Sequence, residues 1–238
     1  MNHPRNPNHR WRLPAALLPL LLMIGAAGPA FAVDGVIEIN HAKAVAGGVT
    51  PGDGPGYPVT ISEWGSYRLT GNLYPSPSQD AIDIPAEHVT LDLNGFTIAG
   101  GSDGIVLGQN DIEIRNGTIL WTARHGIFAP FTLSYFVRVI GVRVVANGGN
   151  GIRLEGEGFT VDGCTAEFNG GVGIWVGEGS IVMNSVARRN TGLGLVMRAT
   201  TGFRSNVVTE NNGGNANPQT ASGIELGPNV CGTDLVCP

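Results

Sequence analysis

The chain has 238 residues, enough for one sizeable core or for an elongated repeat, and 37 of them are Gly and 15 are Pro. Hydrophobic residues reach 42% and charged residues only 14%, which excludes a disordered chain; abundant Val and Ile punctuated by Gly mark short strands and tight turns. The net charge of -5 argues against a nucleic acid partner, whose phosphates call for a basic surface.

Residues 1–32 have the form of a secretory signal peptide. Arg5, Arg10 and Arg12 make a basic start, an apolar stretch runs from Leu13 to Ala27, and Ala30-Phe31-Ala32 supplies a small-x-small cleavage site. The apolar stretch is interrupted by Pro14 and Pro19 and is too short to span a bilayer, so the expectation is a secreted or periplasmic protein with no transmembrane segment once the signal is removed. Losing the three arginines leaves 11 basic against 19 acidic residues, with Lys43 the single lysine.

Residues 33–79 follow no repeat. Pro51, Gly52, Gly54, Pro55 and Gly56 form a loop ahead of Tyr57-Pro58-Val59-Thr60-Ile61, and the segment is read as an N-terminal cap over the exposed end of a solenoid.

From residue 80 to residue 226 the chain repeats. A small residue followed by Ile or Leu, any residue and another apolar one recurs with anchors at Ile82, Ile105, Ile127, Ile152, Ile174, Leu195 and Ile224. The intervals are 23, 22, 25, 22, 21 and 29, the last containing the loop-like Asn215-Ala216-Asn217-Pro218. A second alternating stretch follows each anchor, as in Val89-Thr90-Leu91-Asp92-Leu93 and Ile112-Glu113-Ile114, and alternation means strands. No window has the period and helix formers of a helical repeat, so each unit is an all-strand coil of three short strands and three turns. Asn147, Asn169 and Asn190 each stand five residues before an anchor, where stacked side-chain amides would form a ladder along the axis.

Cys164 falls at an apolar position of the repeat, in a column that would also hold Val186 and Val207, and reads as a buried inert thiol. Residues 227–238 read as a C-terminal cap in which Cys231 and Cys237 pair as a disulfide, as export would permit.

These features resemble the right-handed parallel β-helix repeat proteins of the pectate-lyase-like superfamily, over about residues 80 to 226. Val89-Thr90-Leu91-Asp92-Leu93-Asn94-Gly95-Phe96-Thr97-Ile98 looks like the opening coil of many secreted members. The resemblance implies an all-β right-handed solenoid strongly and an activity weakly, because that scaffold hosts lyases, epimerases, adhesins and binding proteins alike.

Equivalent residues of successive coils stack about 4.8 Å apart, so sequence columns become surface stripes. One stripe, just before the small residues, runs Asp80, Asp103, His125, Asn150, Val172, Leu193, Ser222. Asp80, Asp103 and His125 are weak catalytic candidates, against the plainer reading of solvated turn residues. A second runs Asp92, Glu113, Arg138, Thr160, Val182, Arg204; Asp92 and Glu113 are weak candidates to bind calcium, against a Glu113–Arg138 ion pair that needs no metal. The third, between the apolar residues of each anchor strand, runs Asp83, Val106, Phe128, Arg153, Trp175, Val196, Glu225. Phe128, Arg153 and Trp175 would make an aromatic and cationic platform for sugar rings or a partner, against simple strand-forming stacking.

The expectation is therefore a noncatalytic protein that binds a polysaccharide or an envelope component and needs no cofactor. The alternative is a polysaccharide lyase or epimerase acting on a uronate glycan with calcium as its counterion, since this acidic chain cannot hold a polyanion unaided.

Overall fold

The computed structural model describes residue 1, residues 35–130 and 135–233, and residue 237. It divides into two units, residues 1–32 and 33–238, and the fold concerns the second. Apart from Met1, the export signal read at residues 1–32 lies outside the described residues.

The second unit is a right-handed parallel solenoid with three faces. The anchor face is an eight-stranded sheet containing Ile82–Ile84, Ile105–Leu107, Ile127–Ala129, Ile152–Leu154, Ile174–Val176 and Leu195–Met197. Its register pairs Ile82 with Ile105, Ile105 with Ile127, Ile127 with Ile152, Ile152 with Ile174 and Ile174 with Leu195. All six side chains are buried, each worth about 2 kcal/mol or more of apolar transfer, and they fill the interior as one continuous column. A larger sheet supplies the other two faces, and the long strands Ile112–Leu120 and Arg138–Val145 bend across both. No helix among the described residues is long and apolar enough to cross a membrane.

Two features of each coil explain its recurring sequence. The small residue before the anchor is forced by close approach: a Cβ on Gly151 would lie 2.7 Å from the carbonyl oxygen of Gly173, and one on Gly126 would lie 2.6 Å from that of Gly151. The Asn column forms a ladder. Asn147, Asn169 and Asn190 donate from Nδ2 to the Oδ1 of Asn169, Asn190 and Asn211 at 3.0, 2.9 and 2.9 Å, and Gln219 ends the row. Each of these Oδ1 atoms also accepts the preceding coil's backbone N–H, so buried amides that a turn would orphan are satisfied.

The solenoid is longer at both ends than the repeat implied. Val59–Thr60 pairs with Ile82 and Asp83, and Gly65–Leu69 pairs with the strand at Val89–Asp92, so the first coil begins inside the segment read as cap. Pro58 stands there in place of the small residue, which hides the motif. The true cap is shorter: Ile37–Ile39 and the helix His41–Ala46, capped by Asn40, whose side chain accepts the Lys43 N–H. At the other end Leu195 pairs with Thr220, while Ile224 lies half-exposed on the second face opposite Gly202. Ile224 is thus not an anchor, and Ser222 and Glu225 leave their stripes. The coil then continues to Val230–Cys231, opposite Val207 and Val208, and Cys231 and Cys237 are joined by a disulfide with Cα atoms 5.2 Å apart.

One-residue slips account for two further corrections. The turn at Gly156–Gly158 is one residue longer than its successor, so Thr160 pairs with Ile181 rather than with Val182, and Val182 points inward. A slip of one reverses every side chain. For the same reason Cys164 does not share a column with Val186 and Val207, which stand opposite Thr165 and point outward. It heads a second ladder instead: the Cys164 N–H donates to Ser185 Oγ, Ser185 N–H to Asn206 Oδ1 and Asn206 N–H to Asn229 Oδ1. The thiol is buried against the carbonyl of Val139, and burial pushes it up to about 11, so it is inert.

Candidate functional site

The Asp80 stripe is a third ladder. Asp80 Oδ1 accepts the Asp103 N–H at 2.9 Å, Asp103 Oδ1 the His125 N–H at 2.7 Å, His125 Nδ1 the Asn150 N–H at 3.0 Å and Asn150 Oδ1 the Val172 N–H at 2.9 Å. Each side chain thus spends an acceptor on the backbone of the next coil. Asp103 is almost fully buried and its other oxygen faces Arg124 at 3.4 Å. His125, accepting at Nδ1, is held below its usual range mainly by burial, with Asp103 opposing that shift.

On the second face, Asp92 stands opposite Arg115 and not opposite Glu113. Arg115 reaches Asp92 at 3.0 Å and Glu113 at 3.1 Å, and Arg138 meets the other Glu113 oxygen at 2.9 Å. The two carboxylates are bridged by the Arg115 guanidinium, which already offsets the repulsion that a calcium ion would relieve. No cluster of three or more His, Cys, Asp or Glu side chains able to hold a metal occurs among the described residues.

The third stripe assembles on the anchor face in the order Asp83, Val106, Phe128, Arg153, Trp175, Val196, ending at Ala221 in place of Glu225. Its aromatic members are half-buried and flanked by side chains from the turns. The Phe128 ring carries Arg124 and Arg153, each 5.9 Å from its centroid, and the His125 ring at 5.2 Å. Arg198 lies 5.5 Å over the Trp175 ring. Phe128 and Trp175 are two coils apart, about 10 Å along the axis at about 4.8 Å per coil.

The flanking charges were absent from the sequence columns, although period-2 alternation signals some of them. Glu155 and Arg198 follow Arg153 and Val196 by two residues and so share their face. Arg153 donates from Nε to Glu155 at 2.7 Å, and Arg198 lines an open cleft of about 420 Å³ together with Trp175, Glu178, Val196, Ala221 and Ser222. At the opposite end of the stripe Asp83 is pushed up to about 6, by burial first and then by the Asp80 and Asp103 carboxylates; its Oδ1 is buried without a hydrogen-bond partner among the described residues.

Residues 86–232 match the family described as "Right handed beta helix region". Searches of curated proteins and of solved structures gave no match.

Proposed function

The chain belongs to the right-handed β-helix family, and from that premise we propose that it is a noncatalytic, secreted or periplasmic protein that binds a polysaccharide along its anchor face. The observation that carries this is the pair of half-buried rings, Phe128 and Trp175, about two coils apart with guanidinium groups over both. A sugar offers C–H faces to an aromatic ring and hydroxyls to the charged rim, and a spacing of about 10 Å suits alternate rings of an extended chain. The signal-like residues 1–32 support an exterior location.

The lyase or epimerase alternative draws on Asp83, whose carboxyl near 6 lies in the range of a proton acceptor. It is the weaker reading because Asp80, Asp103 and His125 already give acceptor atoms to backbone N–H groups, which explains all three without chemistry.

A glycan array followed by titration of the best ligand tests the proposal. Trp175→Ala and Phe128→Ala should each weaken binding at least tenfold, equivalent to about 1.4 kcal/mol, and leave the melting curve nearly unchanged. Equal binding by wild type and both variants would defeat it.

A further inference from the structure

Three guanidinium groups line the anchor face, and they are not equivalent. Arg124 is answered by Asp103 and Arg153 by Glu155, so neither carries a charge free for a ligand. Arg198 has no carboxylate partner among the described residues; its contact is the Trp175 ring, 5.5 Å away, at the wall of the cleft of about 420 Å³. An arginine held over an indole keeps its in-plane N–H groups directed outward, a fork matched to a carboxylate or sulfate.

We propose that this cleft is the specificity subsite of the face, and that it takes a sugar ring bearing one anionic group, the ring against Trp175 and the anion on Arg198. The inference rests on the glycan-binding reading and adds the acidic class of its ligand. Glu178 sharpens the class. Its carboxylate is fixed on the cleft wall, where one oxygen accepts both the N–H and the hydroxyl of Thr200. A fixed negative charge there repels densely charged anions such as polyphosphate and accepts hydrogen bonds from hydroxyl groups, so a hydroxylated ring with a single acidic substituent fits where a bare polyanion does not. Ser222 adds a further hydroxyl to the lining, and Val196 and Ala221 an apolar floor.

The test is calorimetric titration of the mature chain with three probes: a uronic acid oligosaccharide, the same oligosaccharide after carboxyl reduction, and a singly sulfated neutral one. Wild type should bind at least one acidic probe about tenfold or more tighter than the neutral one, a preference that shrinks as salt is raised. Which acidic probe binds identifies carboxylate or sulfate as the recognised group. Arg198→Gln, an exposed substitution whose melting curve should match wild type, should bind acidic and neutral probes alike, at the neutral affinity; Phe128→Ala should weaken all probes and keep the preference. Equal wild-type affinity for acidic and neutral probes, or a preference that survives Arg198→Gln, overturns the inference and leaves the glycan-binding reading standing. Binding of none of the probes, with Phe128→Ala without effect on any glycan, overturns both.

Discussion

Single residues in this protein do structural work that their chemistry alone would not reveal. Asn169 is fully buried; its Oδ1 accepts from the backbone and the side chain of Asn147, and its Nδ2 donates to Asn190 and to the Val144 carbonyl. Asn169→Ala would orphan donors and acceptors on three coils at once, so stability should fall by about 2 to 3 kcal/mol with the fold retained. A urea melt measures this, and an unchanged midpoint would remove the ladder from the account of stability. Asp83 is the opposite case, a residue that costs stability. Its carboxyl is raised from 3.8 to about 6, so between those values the folded chain binds more protons than the unfolded one. This contribution falls as pH rises through the window and is constant above it. Asp83→Asn should therefore be more stable than wild type at pH 7, by about 1 kcal/mol once solvent screening of a half-buried group is allowed for, and the gain should vanish by about pH 4. A pH series of melts in which the two proteins run parallel would contradict this assignment.

At the scale of the element, each three-residue strand is too short to be stable alone and is held by its parallel neighbours and by the turns that deliver it. The turn before the anchor strand is the tightest point. A methyl group on Gly151 would meet the Gly173 carbonyl oxygen at 2.7 Å, the Asn169 Nδ2 at 2.8 Å and Val144 Cγ2 at 2.8 Å, with backbone on one side and a ladder residue on the other. Gly151→Ala should cost about 3 kcal/mol, larger than an ordinary overpacking change, because no flexible side chain alone can move aside. Chemical denaturation against Gly54→Ala, where nothing lies within 4 Å of the added methyl group, supplies the control. Corners between the second and third strands impose a different demand. Asn116, Gly141, Gly163, Asn184 and Ser205 all have φ between 53° and 63°, a conformation that Gly and Asn tolerate best.

On the scale of the whole molecule, the solenoid has contacts only between adjacent coils, so its ends have one neighbour where its middle has two. The N-terminal end is covered by Ile37–Ile39 and its helix, and the C-terminal end carries the Cys231–Cys237 disulfide. Native-state hydrogen exchange should accordingly be slowest for the amides of Ile127–Ala129, Ile152–Leu154 and Ile174–Val176 and faster for Thr220–Ala221 and Ile224–Glu225. Uniform protection along the axis would mean that the coils unfold as one unit.

The recurrence of a small residue, Ile and an apolar residue at intervals of 21 to 25 determined the coil, the anchor face and the first Asn ladder from the sequence alone, because burial at every coil imposes the same pattern at the same place. The same recurrence brought Phe128, Arg153 and Trp175 onto one surface. Register elsewhere was decided only in three dimensions. A turn one residue longer or shorter leaves the anchors aligned and reverses the next strand, which is how Val182 came to point inward. Asp92 and Glu113 share a side but stand two register positions apart, Glu113 opposite Thr90 and Arg115 opposite Asp92, which lets Arg115 reach both carboxylates. Thr220 replaced Ile224 as the last anchor because backbone pairing needs no apolar side chain, so a polar strand can close a coil that hydrophobic pattern assigns elsewhere. Charge was decided there too: a column shows that arginines share a face, but only the positions of Asp103 and Glu155 leave Arg198 as the guanidinium of that face without a carboxylate among the described residues, since an ion pair depends on distance across coils and not on order along the chain.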